Sequence, residues 1–335
     1  MRTISTGIFI LRSPLHDIER SRPATEDLLA AANQLFDCKI TPKFTPEEFD
    51  LMIILVLTGG TENIFLSHWP ALKASGTPFL LAATTTDNSL PAALEILSWL
   101  NANEPGSGAA VVHGNAGSIA SQIENFIARM RAGSALESQV AGIIGPPSDW
   151  LIASMPDSSI IEQKLGIKLV SISMDQFKKY VEKADSASLG EFAQAFYRPG
   201  DSGRTSELAR AAKIYGGLTR AVKLHQLNAL TLRCFDLLES SQTTGCLALA
   251  RLNDDGIPAA CEGDVPAMLT MMVTKAITKK PGFMANPSSV SGSQVTFAHC
   301  TCPVTILEKF SLNNHFESGM GLAVAGEFAP DTFTV

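Results

Sequence analysis

Residues 51–57, Leu-Met-Ile-Ile-Leu-Val-Leu, form an apolar run with no polar break. A strand that is apolar on both faces has to be covered on both faces, as a central strand of a parallel sheet is. Further short apolar runs lie at 7–11, 79–83, 109–113, 140–145, 169–172 and 257–261, with another apolar segment at 229–235. Segments of helical spacing alternate with them at 25–36, 91–100, 119–132, 176–183 and 207–224, and a helix falls near 245–252. From residue 281 the style changes, because 295–298 and 321–327 alternate as antiparallel strands do, with Gly and Pro turns between them. This pattern predicts an α/β chain. It would have two doubly wound parallel-sheet domains of flavodoxin or Rossmann type and a small C-terminal antiparallel β domain, at residues 1–135, 136–280 and 281–335. The small polar run 133–138 marks the first boundary, and the Gly- and Pro-rich stretch 197–204 reads as a surface connection.

At 335 residues the chain exceeds one ordinary core. The formal charge of −7 is spread without a concentration of Lys and Arg, which argues against nucleic acid or an anionic membrane as partner. The apolar run near the N-terminus is too short for a signal peptide, and 51–57 is far short of a membrane span. A cytoplasmic location is therefore expected. Six cysteines, at 38, 234, 246, 261, 300 and 302, do not make a disulfide framework in a chain this long. Cys300 and Cys302 lack zinc-ribbon spacing, so reduced thiols in or near buried strands are expected.

In open parallel sheets ligands sit beyond the carboxyl ends of the strands. Thr58-Gly59-Gly60-Thr61-Glu62 and Thr86-Asp87-Asn88-Ser89 both lie at such ends. Neither is a nucleotide signature, since the chain has no Gly-x-Gly-x-x-Gly after a strand and no Walker loop. A tight strand-to-helix turn explains Gly59-Gly60, and a loop lining a ligand cleft is the alternative.

The chemistry-bearing residues gather late. Glu262 and Asp264 stand in Ala-Cys-Glu-Gly-Asp-Val-Pro, His299 in Phe-Ala-His-Cys-Thr, and His315 in Asn-Asn-His-Phe-Glu-Ser-Gly. Oxygen and nitrogen donors of this kind suit manganese, magnesium, zinc or cobalt as divalent ions. Each residue also has a plainer reading. Asp264 is placed to cap the helix announced by Pro266. His299 shares parity with Val295 and Phe297 and would extend a buried strand face. Glu262 closes an apolar strand and would point out over the sheet edge, either as a solvated carboxylate or as a functional one.

The chain resembles the L-fucose isomerase-like and L-arabinose isomerase group of sugar isomerases. The likeness runs through Gly-Gly-Thr-Glu at 59–62, Asn88-Ser89-Leu90-Pro91, Leu232-Arg233-Cys234-Phe235-Asp236 and Gly245-Cys246-Leu247-Ala248. It continues through Cys261-Glu262-Gly263-Asp264-Val265, Phe283-Met284-Ala285-Asn286-Pro287, His299-Cys300-Thr301 and His315-Phe316-Glu317-Ser318-Gly319. The resemblance implies a manganese or other divalent ion held by Glu262, Asn286, His299 and His315. It departs from the family at Asn286, where an aspartate is usual; an amide still offers a carbonyl oxygen but carries no charge. Glu262 and Asp264 are the expected catalytic residues, and Asp236 and Asn88 the expected substrate contacts.

Aldose–ketose isomerisation moves a proton between C1 and C2 of an open-chain sugar through an enediol. A carboxylate on one face can take the proton from one carbon and return it to the next, and a divalent ion on the two oxygens stabilises the enediolate. The resemblance thus implies a sugar substrate, a metal-dependent isomerase and a closed homo-oligomer. Asn286 keeps two alternatives open: a non-catalytic sugar-binding protein on the same scaffold, and an isomerase of a sulfo- or phospho-sugar. An aldolase or epimerase reusing the enediolate is a third reading.

Overall fold

The computed structural model describes residues 3–184, 186–196 and 204–331, with the side chains of 20, 21 and 186–188 set aside. Of the stretch 197–204, only Arg204 lies within the described residues. The chain divides into two compact units, Met1–Arg131 and Ala132–Val335.

The first unit is a five-stranded parallel sheet. Its strands are β1 (Thr6–Leu11), β2 (Cys38–Ile40), β3 (Leu51–Val56), β4 (Phe79–Ala83) and β5 (Val111–His113), in the order β2-β1-β3-β4-β5. This is the flavodoxin-like doubly wound order. Helices α1 (Ile18–Asn33), α2 (Glu62–Ser75) and α3 (Ser89–Asn103) make crossovers between its strands, and α4 (Ala116–Leu136) follows β5. The apolar run at 51–57 does what its composition requires. Leu51, Ile53 and Leu55 enter one buried cluster, while Met52, Ile54 and Val56 enter another on the opposite face. Helix α1 begins well before the expected residue 25 and carries Pro23 in its interior, with Asp17 accepting from the Glu19 amide at its start. The polar run 133–138 is helical as far as Leu136, where α4 ends.

The second unit has a four-stranded parallel sheet in the order β7-β6-β8-β9. Its strands are β6 (Val140–Ile144), β7 (Lys168–Ile172), β8 (Ala229–Leu232) and β9 (Ala259–Ala260). The order repeats that of the first unit without its last strand. Helices α5 (Ser158–Leu165), α6 (Met174–Glu182), α7 (Ser186–Phe196), α8 (Thr205–His225), α9 (Asp236–Ser241), α10 (Cys246–Asp254) and α11 (Val265–Thr278) complete it. Strand β9 is shorter than the run 257–261 suggested, so Cys261 and Glu262 lie past its end.

Two antiparallel hairpins follow, β10 (Asn286–Ser291) with β11 (Gln294–Ala298), and β12 (Lys309–Asn314) with β13 (Leu322–Glu327). The second hairpin contributes Leu312, Leu322, Ala323 and Val324 to the core that also holds Ala141 and Ile143 of β6. It approaches so closely that a Cβ on Gly321 would stand 2.7 Å from the Thr244 amide nitrogen. The parallel sheets and the small antiparallel sheets agree with the fold class expected from the sequence. No helix among the described residues is long and apolar enough to cross a membrane.

Candidate functional site

The site is built on the carboxyl edge of the second sheet. Glu262 adopts a left-handed backbone, φ 65°, immediately before Gly263 at φ 71°. For a residue with a Cβ this costs about 1–2 kcal/mol, and the surroundings enforce it. The Gly263 amide donates to the Leu232 carbonyl at 3.0 Å, the Ser148 amide donates to the Gly263 carbonyl at 3.3 Å, and the Ser148 hydroxyl donates to the Glu262 carbonyl. A Cβ on Gly263 would lie 3.0 Å from the Pro146 carbonyl oxygen, so only glycine allows the turn to press against the loop after β6.

His299 faces Glu262, with Nε2 3.5 Å from Oε1 and the imidazole side chain only 3% exposed. That separation is longer than a strong hydrogen bond, and Nε2 is a buried nitrogen with no hydrogen-bond partner. The other ring nitrogen is occupied, since Nδ1 accepts from the Thr301 amide at 3.2 Å and lies 3.6 Å from the Cys300 sulfur. Burial works to lower the His299 pKa, but Cys300 and Glu262 together outweigh it and raise it from 6.5 to about 10. A carboxylate and an imidazole that carries its hydrogen toward it make a proton-transfer pair. The expected reason for His299 being buried was wrong. Strand β11 is exposed along its whole length, including Val295 and Phe297, so His299 does not continue a buried face; it tucks in after the strand ends.

The other expected residues are placed as follows. Asp264 caps α11, one oxygen accepting from the Ala267 amide at 2.7 Å. Burial, and then the Glu262 charge, raise its pKa against the pull of that hydrogen bond. His315 is buried, with Nδ1 3.0 Å from the Ser318 hydroxyl and accepting from the Ser318 amide at 3.3 Å, and its ring lies against Phe235 and Phe316. Asn286 is exposed and pairs with Ala298 at the start of β10. Asp236 begins α9 and holds Arg233 at 3.3 Å. Asn88 belongs to the first unit, where it precedes α3 in a left-handed conformation, φ 56°, and makes no side-chain cap. The structure therefore brings Glu262, His299 and Asp264 to one corner.

A manganese centre needs unprotonated, converging donors. Both imidazoles spend Nδ1 on a backbone amide, which leaves Nε2 as the one nitrogen each could offer a metal. Among the described residues, the one group of three or more His, Cys, Asp or Glu side chains with ligand atoms within 4.8 Å of one another is Cys246, Cys261 and Cys300. The residues in this arrangement do not fit manganese, and we derive no step through it.

Two features escaped the sequence reading. Arg233 lies against the loop after β6, donating to the Pro147 carbonyl at 3.0 Å and pairing with Asp149 at 3.3 Å, its guanidinium 5.2 Å from the Trp150 ring. The second is the convergence of the cysteines. A signal for it existed: Cys261 and Cys300 are the chain neighbours of Glu262 and His299.

No protein-family model matches the chain. What the fold and the corner define is an α/β protein with a carboxylate–imidazole pair at a parallel-sheet edge. The chain is similar to a sulfoquinovose isomerase from Clostridium sp. (strain MSTE9), 28% identical over 191 residues, which cover 53% of this chain and 42% of that protein. The match thus spans under half the length of the relative.

Proposed function

We propose that the chain is an aldose–ketose isomerase acting on a sugar that bears an anionic group. The observation that carries the reaction class is the buried, unpartnered Nε2 of His299 held 3.5 Å from the Glu262 carboxylate. The likeness to a sulfoquinovose isomerase supports both the class and the charge of the substrate.

In the forward direction Glu262 removes the proton from C2 of the open-chain aldose. The electron pair left behind forms the C1–C2 double bond of an enediol, and the carbonyl oxygen takes a proton from His299 Nε2. Glu262 then returns its proton to C1 while the C2 hydroxyl gives its proton back to the imidazole, leaving the ketose and the starting protonation states. Both transfers lie on one face, which is why a single carboxylate suffices. Asp264, committed to capping α11, holds the turn that aims Glu262. The same reading carries the closed homo-oligomer expected from the family resemblance; a monomer by light scattering would remove that part.

The test is incubation in deuterated water with sulfoquinovose, a sugar phosphate, fucose and arabinose, followed by NMR. The expected result is ketose formation from the anionic sugars, with deuterium at C1 of the ketose and at C2 of the recovered aldose. Saturable binding without exchange would give the protein to the sugar-binding reading. Exchange that survives exhaustive chelation keeps the chemistry with Glu262 and His299, whereas exchange only after manganese is added would return both to the role of ligands.

A further inference from the structure

Four thiols converge behind the Glu262–His299 corner. Cys234 follows β8, Cys246 opens α10, Cys261 follows β9 and Cys300 follows β11. All are free and buried, at 3%, 0%, 1% and 7% exposure. The sulfurs of Cys246, Cys261 and Cys300 lie within 4.8 Å of one another. Cys246 is 3.2 Å from Cys300, and Cys234 is 3.0 Å from Cys261. Nothing in the proton-transfer chemistry uses them.

We propose that these four cysteines form a binding site for one thiophilic d10 metal ion, zinc being the representative. A tetrahedral zinc–thiolate centre has Zn–S bonds of about 2.3 Å and hence sulfurs about 3.8 Å apart, so the three-sulfur triangle already has the dimensions of a ligand set. Cys234 is 3.0 Å from Cys261 but outside the group of three, and it becomes the fourth donor once its side chain turns toward the other two sulfurs. Packing as small hydrophobes accounts for the burial of each thiol, but it gives no reason for four separate segments to bring sulfur to one point. Soft sulfur selects zinc, copper(I) or cadmium and rejects manganese and magnesium. Cys246 stands at the first position of α10, where the positive end of the helix offsets thiolate charge. The site is closed to solvent and loads as the chain folds. The ion makes Cys261 and Cys300 co-ligands, and their chain neighbours are Glu262 and His299; it therefore fixes the spacing of that pair. The site stands apart from the isomerase reading, and either can fail without the other.

The experiment is elemental analysis of protein purified without chelator, combined with native mass spectrometry of the folded chain before and after chelation. About one zinc per chain, lost as one zinc mass on chelation, is expected. Cobalt(II) put in place of zinc should give thiolate-to-cobalt charge-transfer absorption with tetrahedral d–d bands. Cys300→Ala should weaken the ion by roughly tenfold or more, and Cys302→Ala, outside the cluster, should keep it. Should the Cys300 variant not fold, the metal content and cobalt spectrum of the unaltered protein still decide. Protein that takes up neither zinc nor cobalt overturns the proposal. So does an intact mass short of two or four hydrogens, which would mean disulfides instead.

Discussion

The two parallel sheets present similar carboxyl edges. In the first unit Asp87 and Asn88 adopt positive φ, 54° and 56°, after β4, and in the second Glu262 does so at 65° after β9. The first edge consumes its polar groups internally. The Ser13 amide donates to the Thr58 hydroxyl at 2.9 Å, the Thr61 hydroxyl to the Thr58 carbonyl at 3.0 Å, and the Gly59 amide to the Asp87 carbonyl at 2.8 Å. The Ser89 hydroxyl donates to the Val56 carbonyl, and its oxygen accepts from the Thr84 amide. The buried side-chain atoms left over there are the Thr84 hydroxyl and, in the loop after β1, His16 Nδ1. At the second edge a titratable nitrogen faces a carboxylate. Backbone strain is common to both edges and therefore does not mark a site. An unspent imidazole set 3.5 Å from a carboxylate does.

The comparison breaks first at Glu262. Glu262→Gln should cut C2 proton exchange by at least about a hundredfold, the usual size of an acid–base contribution, with circular dichroism unchanged. Undiminished exchange would put the second edge on the same footing as the first. Next is pH. His299 is raised from 6.5 to about 10 in the folded protein, so the folded state binds a proton more tightly than the unfolded chain. The stability this adds is fully present below about pH 6.5 and is lost as pH climbs through about 10. Denaturant titrations across that window should show the decline in the native chain and a flatter profile in His299→Gln; parallel profiles would disconnect His299 from it. Asp264→Ala should cost about 1 kcal/mol, as loss of a helix cap does, read from the denaturation midpoint. The smallest effects compare the strained residues directly. Glu262→Gly should add roughly 0.5–1 kcal/mol of stability by relieving the left-handed Glu. Asn88→Gly should change it by only a few tenths, because Asn tolerates that conformation. Equal gains at the two positions would mean that neither edge keeps strain for a purpose.

Much of the sheet architecture was legible. The run 51–57 announced β3 because a strand covered on both faces cannot alternate, and the runs at 79–83 and 140–145 announced β4 and β6 for the same reason. Short or edge elements were not. Strand β2, only Cys38–Ile40 and partly exposed, and helix α5, Ser158–Leu165, lack a run long enough to register. Helical spacing registered only from residue 25, yet α1 starts at Ile18 and passes through Pro23. At the site, Glu262 stood out as a carboxylate ending an apolar segment, and Asp264 had the signature of a cap that the structure bears out. The pairing of Glu262 with His299 spans a helix and a hairpin, a separation that no local pattern encodes. The cysteine cluster is harder still. Cys234, Cys246, Cys261 and Cys300 have no spacing motif, because the fold rather than the chain makes them neighbours.

The ribosome delivers the two units on different terms. Every strand and buried cluster of the first lies before Arg131, so it can fold while the rest is still being made. The second has its sheet early and its closing pieces late. Leu312, Leu322, Ala323 and Val324 belong to the same core as Ala141 and Ile143. Until they emerge, α10 and α8, against which β13 packs, hold an open apolar flank, and Cys234, Cys246 and Cys261 wait for Cys300. Synthesis that stalls inside the final hairpin would leave a finished first unit joined to a second one that is sticky, thiol-rich and a natural client for chaperones.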